Sequence, residues 1–83
     1  MIVNHYAIYD SKAQHYGQLF PSQTHGAAER LFSDSVNKPD SPHNAHPDDY
    51  SLYYIGEYDD DSGRFLTQDM PLKLVHGKQL LRD

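Results

Sequence analysis

Tyr50–Gln68, YSLYYIGEYDDDSGRFLTQ, is the stretch that decides the fold. From Tyr50 to Tyr58 the period is two: Tyr50, Leu52, Tyr54, Gly56 and Tyr58 fall on one face of a strand, and Ser51, Tyr53, Ile55 and Glu57 on the other. Aromatic and β-branched side chains suit a pleated, half-buried surface. Asp59–Gly63 then has the chemistry of a hairpin loop, a type I turn followed by a left-handed Gly. Arg64–Gln68 returns as the partner strand, with Phe65 and Thr67 on one face.

Working outward toward the start of the chain, Ile2–Tyr9 is apolar on both alternating faces and reads as a central strand. Ile2, Tyr6 and Ile8 share one side with Asn4; Val3, His5, Ala7 and Tyr9 share the other. Asp10-Ser11-Lys12 breaks the pattern as a turn. A shorter strand is expected over Tyr16–Phe20, ending at Pro21, which cannot donate to a ladder and so suits an edge. Thr24 can cap a helix running to about Asn37, with Pro39 preventing continuation. Ala28, Leu31, Phe32, Ser35 and Val36 follow helical spacing, so Leu31 and Phe32 are expected against the sheet.

Lys38–Asp49 holds Pro39, Pro42 and Pro47 and no hydrophobic periodicity, which predicts a long Pro- and His-rich loop within one domain. Two readings stand for Pro71–Leu81: a short strand through Leu72 and Leu74, or one helical turn over Lys78–Leu81 after Gly77. The predicted order is ββαββ plus a short C-terminal element. That is an α+β fold, a small antiparallel sheet with one helix packed on a face, in a single domain over residues 1–83.

At 83 residues one core barely outweighs the entropy of ordering the chain, which leaves a homodimer open. Seven Tyr and no Trp predict a small, Tyr-rich core. With no Cys, neither a disulfide framework nor a thiolate metal site is available, which fits a reducing cytoplasm. No basic leader or membrane-length apolar run is present, so the expectation is a soluble, unprocessed chain with no membrane partner. The formal charge of −5 weighs against a sequence-blind DNA coat, whose affinity would come from Lys and Arg displacing counterions.

Chemistry-bearing constellations are sparse. His43, His46, Asp48 and Asp49 form a usable ligand set for zinc or a harder divalent ion, but Pro47 interrupts it and the spacing matches no helical His motif. Asp59-Asp60-Asp61-Ser62-Gly63 has the start of a calcium loop without its ligand ladder or downstream Glu. No metal and no cofactor are therefore expected. The absence of Cys, of G-x-S-x-G and of a Gly-rich phosphate loop predicts a protein that is not an enzyme.

Tyr on an open strand face can instead stack single-stranded bases while Lys or Arg follows the backbone. The candidates are Tyr6, Tyr9 and Tyr53, assisted by Lys12, Arg30, Lys38 or Arg64; the competing fate of each ring is the core. The long loop offers a second candidate surface, for a protein partner, with Lys38, His43, His46 and Tyr50 at its edges.

Several residues in order resemble a known family. They are VNHYAIYDSKA at the start, Phe20-Pro21-Ser22-Gln23, then Ala28, Arg30, Phe32 and Val36-Asn37 of the helix. Pro39-Asp40-Ser41-Pro42, His46-Pro47-Asp48-Asp49-Tyr50 and Tyr58–Gly63 follow. Together, from Val3 to about Leu74, they look like the small nonstructural protein of gokushoviruses, bacteriophages of the Microviridae with small single-stranded DNA genomes. The resemblance implies a nonstructural protein acting in genome replication or packaging in the host bacterial cytoplasm, with single-stranded DNA as a partner. The alternative is a non-catalytic adaptor engaging the phage replication protein, capsid proteins or a host factor.

Overall fold

A computed structural model of the chain describes residues 1–82. β1 is Ile2–Asp10, β2 His15–Tyr16 and β3 Phe20–Ser22; α1 follows at His25–Val36 and a short helix, α2, at Pro42–Ala45. A 3-10 turn over Pro47–Asp49 leads into β4, Tyr50–Asp59, then β5, Arg64–His76, and a last turn of helix, α3, Gly77–Leu80. The sheet is antiparallel. β1 lies at its centre, paired with β4 along one edge and with β2 and β3 end to end along the other, and β4 pairs with β5. This is the α+β architecture expected, with α1 on one face.

The helix forms where local chemistry starts and stops it. The Thr24 side chain accepts a hydrogen bond from Ala27 N at 3.1 Å, and Asn37 closes the far end. Ala28, Phe32 and Val36, four residues apart, are buried against Tyr6, Leu52 and Tyr54 of the sheet, with Ile8, Phe20, Leu74, Val75 and Leu80 packed around them. Leu31 departs from expectation. It is 55% exposed, because the Ala28–Phe32–Val36 ridge faces the sheet squarely and no further layer covers its flank.

Three other expectations change. The Tyr16–Phe20 strand is two separate edge strands, each pairing with a different part of β1. The 38–49 loop is folded: Ser41 caps α2 by accepting from Asn44 N, and Pro42 supplies the first helical residue, where a missing N–H costs nothing. Both readings of the C-terminal segment hold in succession, since β5 runs to His76 and α3 begins at Gly77.

The faces of β4 also differ from strict alternation. The β1–β4 register passes from His5↔Gly56 to Tyr6↔Tyr54, so Ile55 is an extra residue. Such a bulge exchanges the faces beyond it. Tyr58 therefore joins Tyr53 on the side away from the helix, and Glu57 joins Tyr54 on the helix side. β5 accommodates the kink by looping Gln68–Pro71 out of its ladder between Thr67 and Leu72. Among the described residues no helix is long and apolar enough to cross a membrane.

Candidate nucleic-acid interface

The sheet face opposite α1 carries a cluster of three tyrosines. Cross-strand register aligns Ala7 with Tyr53 and Tyr53 with Lys73, while Tyr9 sits opposite Tyr16 on β2. Side chains of directly paired residues project to the same side. The ring centroids of Tyr9 and Tyr16 are 4.7 Å apart, those of Tyr16 and Tyr53 5.4 Å, and those of Tyr9 and Tyr53 6.0 Å, all tilted or edge-to-face. Beneath them Ala7 is sealed from solvent, while Tyr16 remains 42% exposed. Partial burial, with the Tyr53 and Tyr9 hydroxyls nearby, pushes the Tyr16 hydroxyl up from its ordinary pKa.

Cations stand at the border of this cluster. Lys73 is beside Tyr53, and Lys12 occupies the turn that leaves β1 just past Tyr9. That turn is held by the Asp10 carboxylate, which accepts from Lys12 N at 3.0 Å and Ala13 N at 3.2 Å. Neither ammonium is ion-paired with a carboxylate among the described residues. A sheet face with clustered aromatic rings and lysines at its border is suited to stacking bases and touching phosphates.

Other sequence candidates lie elsewhere. Tyr6 is fully buried on the helix side, where its hydroxyl lies 2.7 Å from His25 Nδ1, so it belongs to the core and not to an open face. Arg30 is exposed on α1 and Lys38 just beyond its end, both in the helix layer. Arg64 sits opposite Asp59, which is opposite Ile2, at the far end of β1 from Lys12. At roughly 3.3 Å per residue the two cations are separated by about 25 Å along the strand. The four cations do not form one patch. Sequence reasoning missed Tyr16 and Lys73. The Asp10-Ser11-Lys12 turn was the available signal for Tyr16, since a tight return after Asp10 places Tyr16 across from Tyr9; Lys73 lay past the expected end of its strand.

The residues proposed for a partner loop divide as well. His43 turns inward, with its Nδ1 2.6 Å from the Ser35 hydroxyl and its ring edge-on to Tyr50 at 4.5 Å and to Phe32 at 5.6 Å. Burial lowers its pKa, opposed by the nearby Asp10 carboxylate. Ser41 Oγ donates to Ser35 O, and Asn44 Nδ2 donates to Val36 O at 2.8 Å. The loop thus binds itself to the end of α1, leaving Lys38 and His46 exposed. A shallow cleft of about 230 Å³ opens beside it, lined by Ile8, Asp10, His15, Gly17, Gln18, His43 and Tyr50.

His43, His46, Asp48 and Asp49 do not converge as ligands. Among the described residues the group whose ligand atoms come within reach of one ion is Asp59, Asp60 and Asp61. There the Met1 ammonium lies 2.6 Å from Asp60 and 2.7 Å from Asp61, and these carboxylates raise its pKa to about 10.

Comparison with known proteins gives the chain its relatives. The model of the family described as Phage ORF5 protein matches residues 3–80. Protein ORF5 of Chlamydia phage 1, a gokushovirus of the Microviridae, is 46% identical over 69 residues, which cover 78% of this chain and 72% of that protein. No solved structure matches. On both the extent of the family match and the identity to a gokushovirus protein, the chain belongs to the phage ORF5 protein family.

Proposed function

We propose that this phage protein acts in replication or packaging of a single-stranded DNA genome in the host bacterial cytoplasm, by binding single-stranded DNA without catalysing a reaction on it. The observation that carries the reading is the gathering of Tyr9, Tyr16 and Tyr53 on the uncovered sheet face, bordered by unpaired Lys73 and Lys12. Bases stack on the exposed part of Tyr16 and on Tyr53, while the two ammonium groups meet flanking phosphates. Stacking tolerates any base, because every base presents a π-face.

With two phosphate contacts the affinity should fall with log salt at a slope of about −1.4. Fluorescence anisotropy of a labelled single-stranded oligonucleotide tests this. Tyr16→Ala, at an exposed position, should weaken binding by about 1–3 kcal/mol while leaving the melting temperature nearly unchanged. No binding of the wild-type chain at about 10 mM salt, where the screening length is roughly 30 Å, would sink the proposal. The competing reading is an adaptor for the replication protein, capsid proteins or a host factor, favoured by the net charge of −5. It predicts a defined protein complex and no oligonucleotide shift.

A further inference from the structure

The helix covers only part of its face of the sheet. α1 has 12 residues, about 18 Å of helix, whereas the molecule is 43 Å long and 23 by 18 Å across. Beyond Tyr6 and Tyr54 the β1–β4–β5 sheet continues uncovered, and register sets Ile2, Asp59 and Arg64 in one row and Asn4, Glu57 and Leu66 in the next. Ile2 is 58% and Leu66 54% exposed. A hollow of about 250 Å³ between them is lined by Ile2, Glu57, Asp59, Ser62, Arg64 and Leu66. On the other side of Ile2 a second hollow, about 490 Å³, reaches β3 at Pro21–Gln23. The first is a groove on the helix-side face; the second, also lined by Met1, Val3 and Asn4, opens at the β1 edge beyond Ile2.

The floor of the groove is apolar and its border acidic. Glu57, Asp59, Asp60 and Asp61 supply four carboxylates, against which stand Arg64 and the Met1 ammonium. Glu57 has no ion-pair partner among the described residues. From this complementarity we infer that the groove docks a basic amphipathic segment of another protein, its apolar side chains against Ile2 and Leu66 and its Lys or Arg against Glu57 and the acidic turn. A second copy fits less well, because a two-fold contact through this groove presents the same carboxylate-rich border to itself. A phosphate backbone is repelled by the same excess. The groove lies on the opposite face from the tyrosine cluster and toward the other end of β1, so its occupant does not cover the tyrosines.

The test is titration of the intact chain with a fluorescent amphipathic Lys/Leu model peptide, beside a scrambled peptide of equal composition and a Glu/Leu counterpart. Expected are saturable binding of the patterned basic peptide alone and NMR amide shifts confined to residues 2–4, 22–23 and 57–66. Leu66→Lys and Glu57→Lys should each weaken binding about tenfold or more, whereas Tyr16→Ala should leave it unchanged. Melting curves of the variants report that the exposed substitutions leave the fold intact. Equal binding of the scrambled peptide, equal affinity in Leu66→Lys, or shifts elsewhere would overturn the proposal. So would a concentration-dependent dimer that Leu66→Lys turns into a monomer, since the occupant would then be a second copy.

Discussion

His43 sits in a loop by sequence and half-buried against the end of α1 by structure, and its titration should reveal the difference. Partial burial beside Phe32 and Tyr50 disfavours the charged imidazole by more than the nearby Asp10 carboxylate favours it, so the pKa falls below 6.5. The unfolded chain takes up this proton near 6.5, while the folded chain resists until lower pH. The stabilisation is therefore complete above pH 6.5 and is lost as pH falls through the lowered folded value. Urea denaturation across this window should show stability rising with pH, and His43→Gln should flatten the curve. Parallel curves for both proteins would refute the assignment. Gly56 makes a different single-residue demand. A Cβ there would overlap the Leu66 carbonyl oxygen and lie 2.9 Å from Thr67 Cα, both backbone atoms that cannot swing aside. Gly56→Ala should cost about 1–3 kcal/mol, read from the denaturation midpoint, as β5 is pushed from β4.

At the scale of elements, Asn37 joins the end of α1 to the C-terminal turn. Its Nδ2 donates to Ser33 O at 2.8 Å and to Leu80 O at 2.9 Å, and its Oδ1 accepts from Arg82 N at 2.7 Å. Asn37→Ala strands these partners and should cost about 1–3 kcal/mol, with amides of residues 77–82 losing hydrogen-exchange protection before those of the sheet. If protection falls evenly everywhere, Asn37 is a helix stop and not a joint. The stop itself was legible from sequence, as were the Thr24 cap, β1, β4 and the left-handed Gly63, at φ +76°, because each depends on chemistry within a few residues. What stayed hidden depended on distant partners. A bulge at Ile55 exists only relative to β1, and it moved Tyr58 and Glu57 to faces that alternation could not assign. Pro71 lies in a segment looped out of the ladder, and that break kept Arg64–Gln68 and the Leu72–Leu74 segment from being read as one strand. In the tyrosine face, Tyr9 and Tyr53 were readable from period two, but alternation alone could not say that Tyr6 would meet α1 and Tyr9 would not.

Carboxylates lie at both ends of the sheet, with Asp10 and Asp49 beside the end of β1, and those at its start bear on how DNA would meet the molecule. Asp59, Asp60, Asp61 and Glu57 gather at the end of the sheet where β1 begins, while Lys12 and the tyrosine cluster lie where β1 ends. Glu57 pairs with Asn4, five residue steps from Tyr9, and is four steps from Tyr53 on its own strand, which is about 17 and 13 Å at the usual rise. Both distances are inside the screening length of about 30 Å at 0.01 M salt and outside the roughly 8 Å at 0.15 M. Acidic residues at the β1 start should therefore repel an oligonucleotide approaching the tyrosines in dilute buffer and be invisible to it at physiological ionic strength. Glu57→Gln, which removes a charge without touching the turn or the stacked rings, should raise single-strand affinity in 0.01 M salt and leave it unchanged in 0.15 M. Anisotropy titrations at the two salt concentrations separate the outcomes. A gain that persists at the higher concentration would mean that DNA contacts the acidic end directly, and the binding face would have to be moved from the tyrosine cluster to the groove beside Ile2.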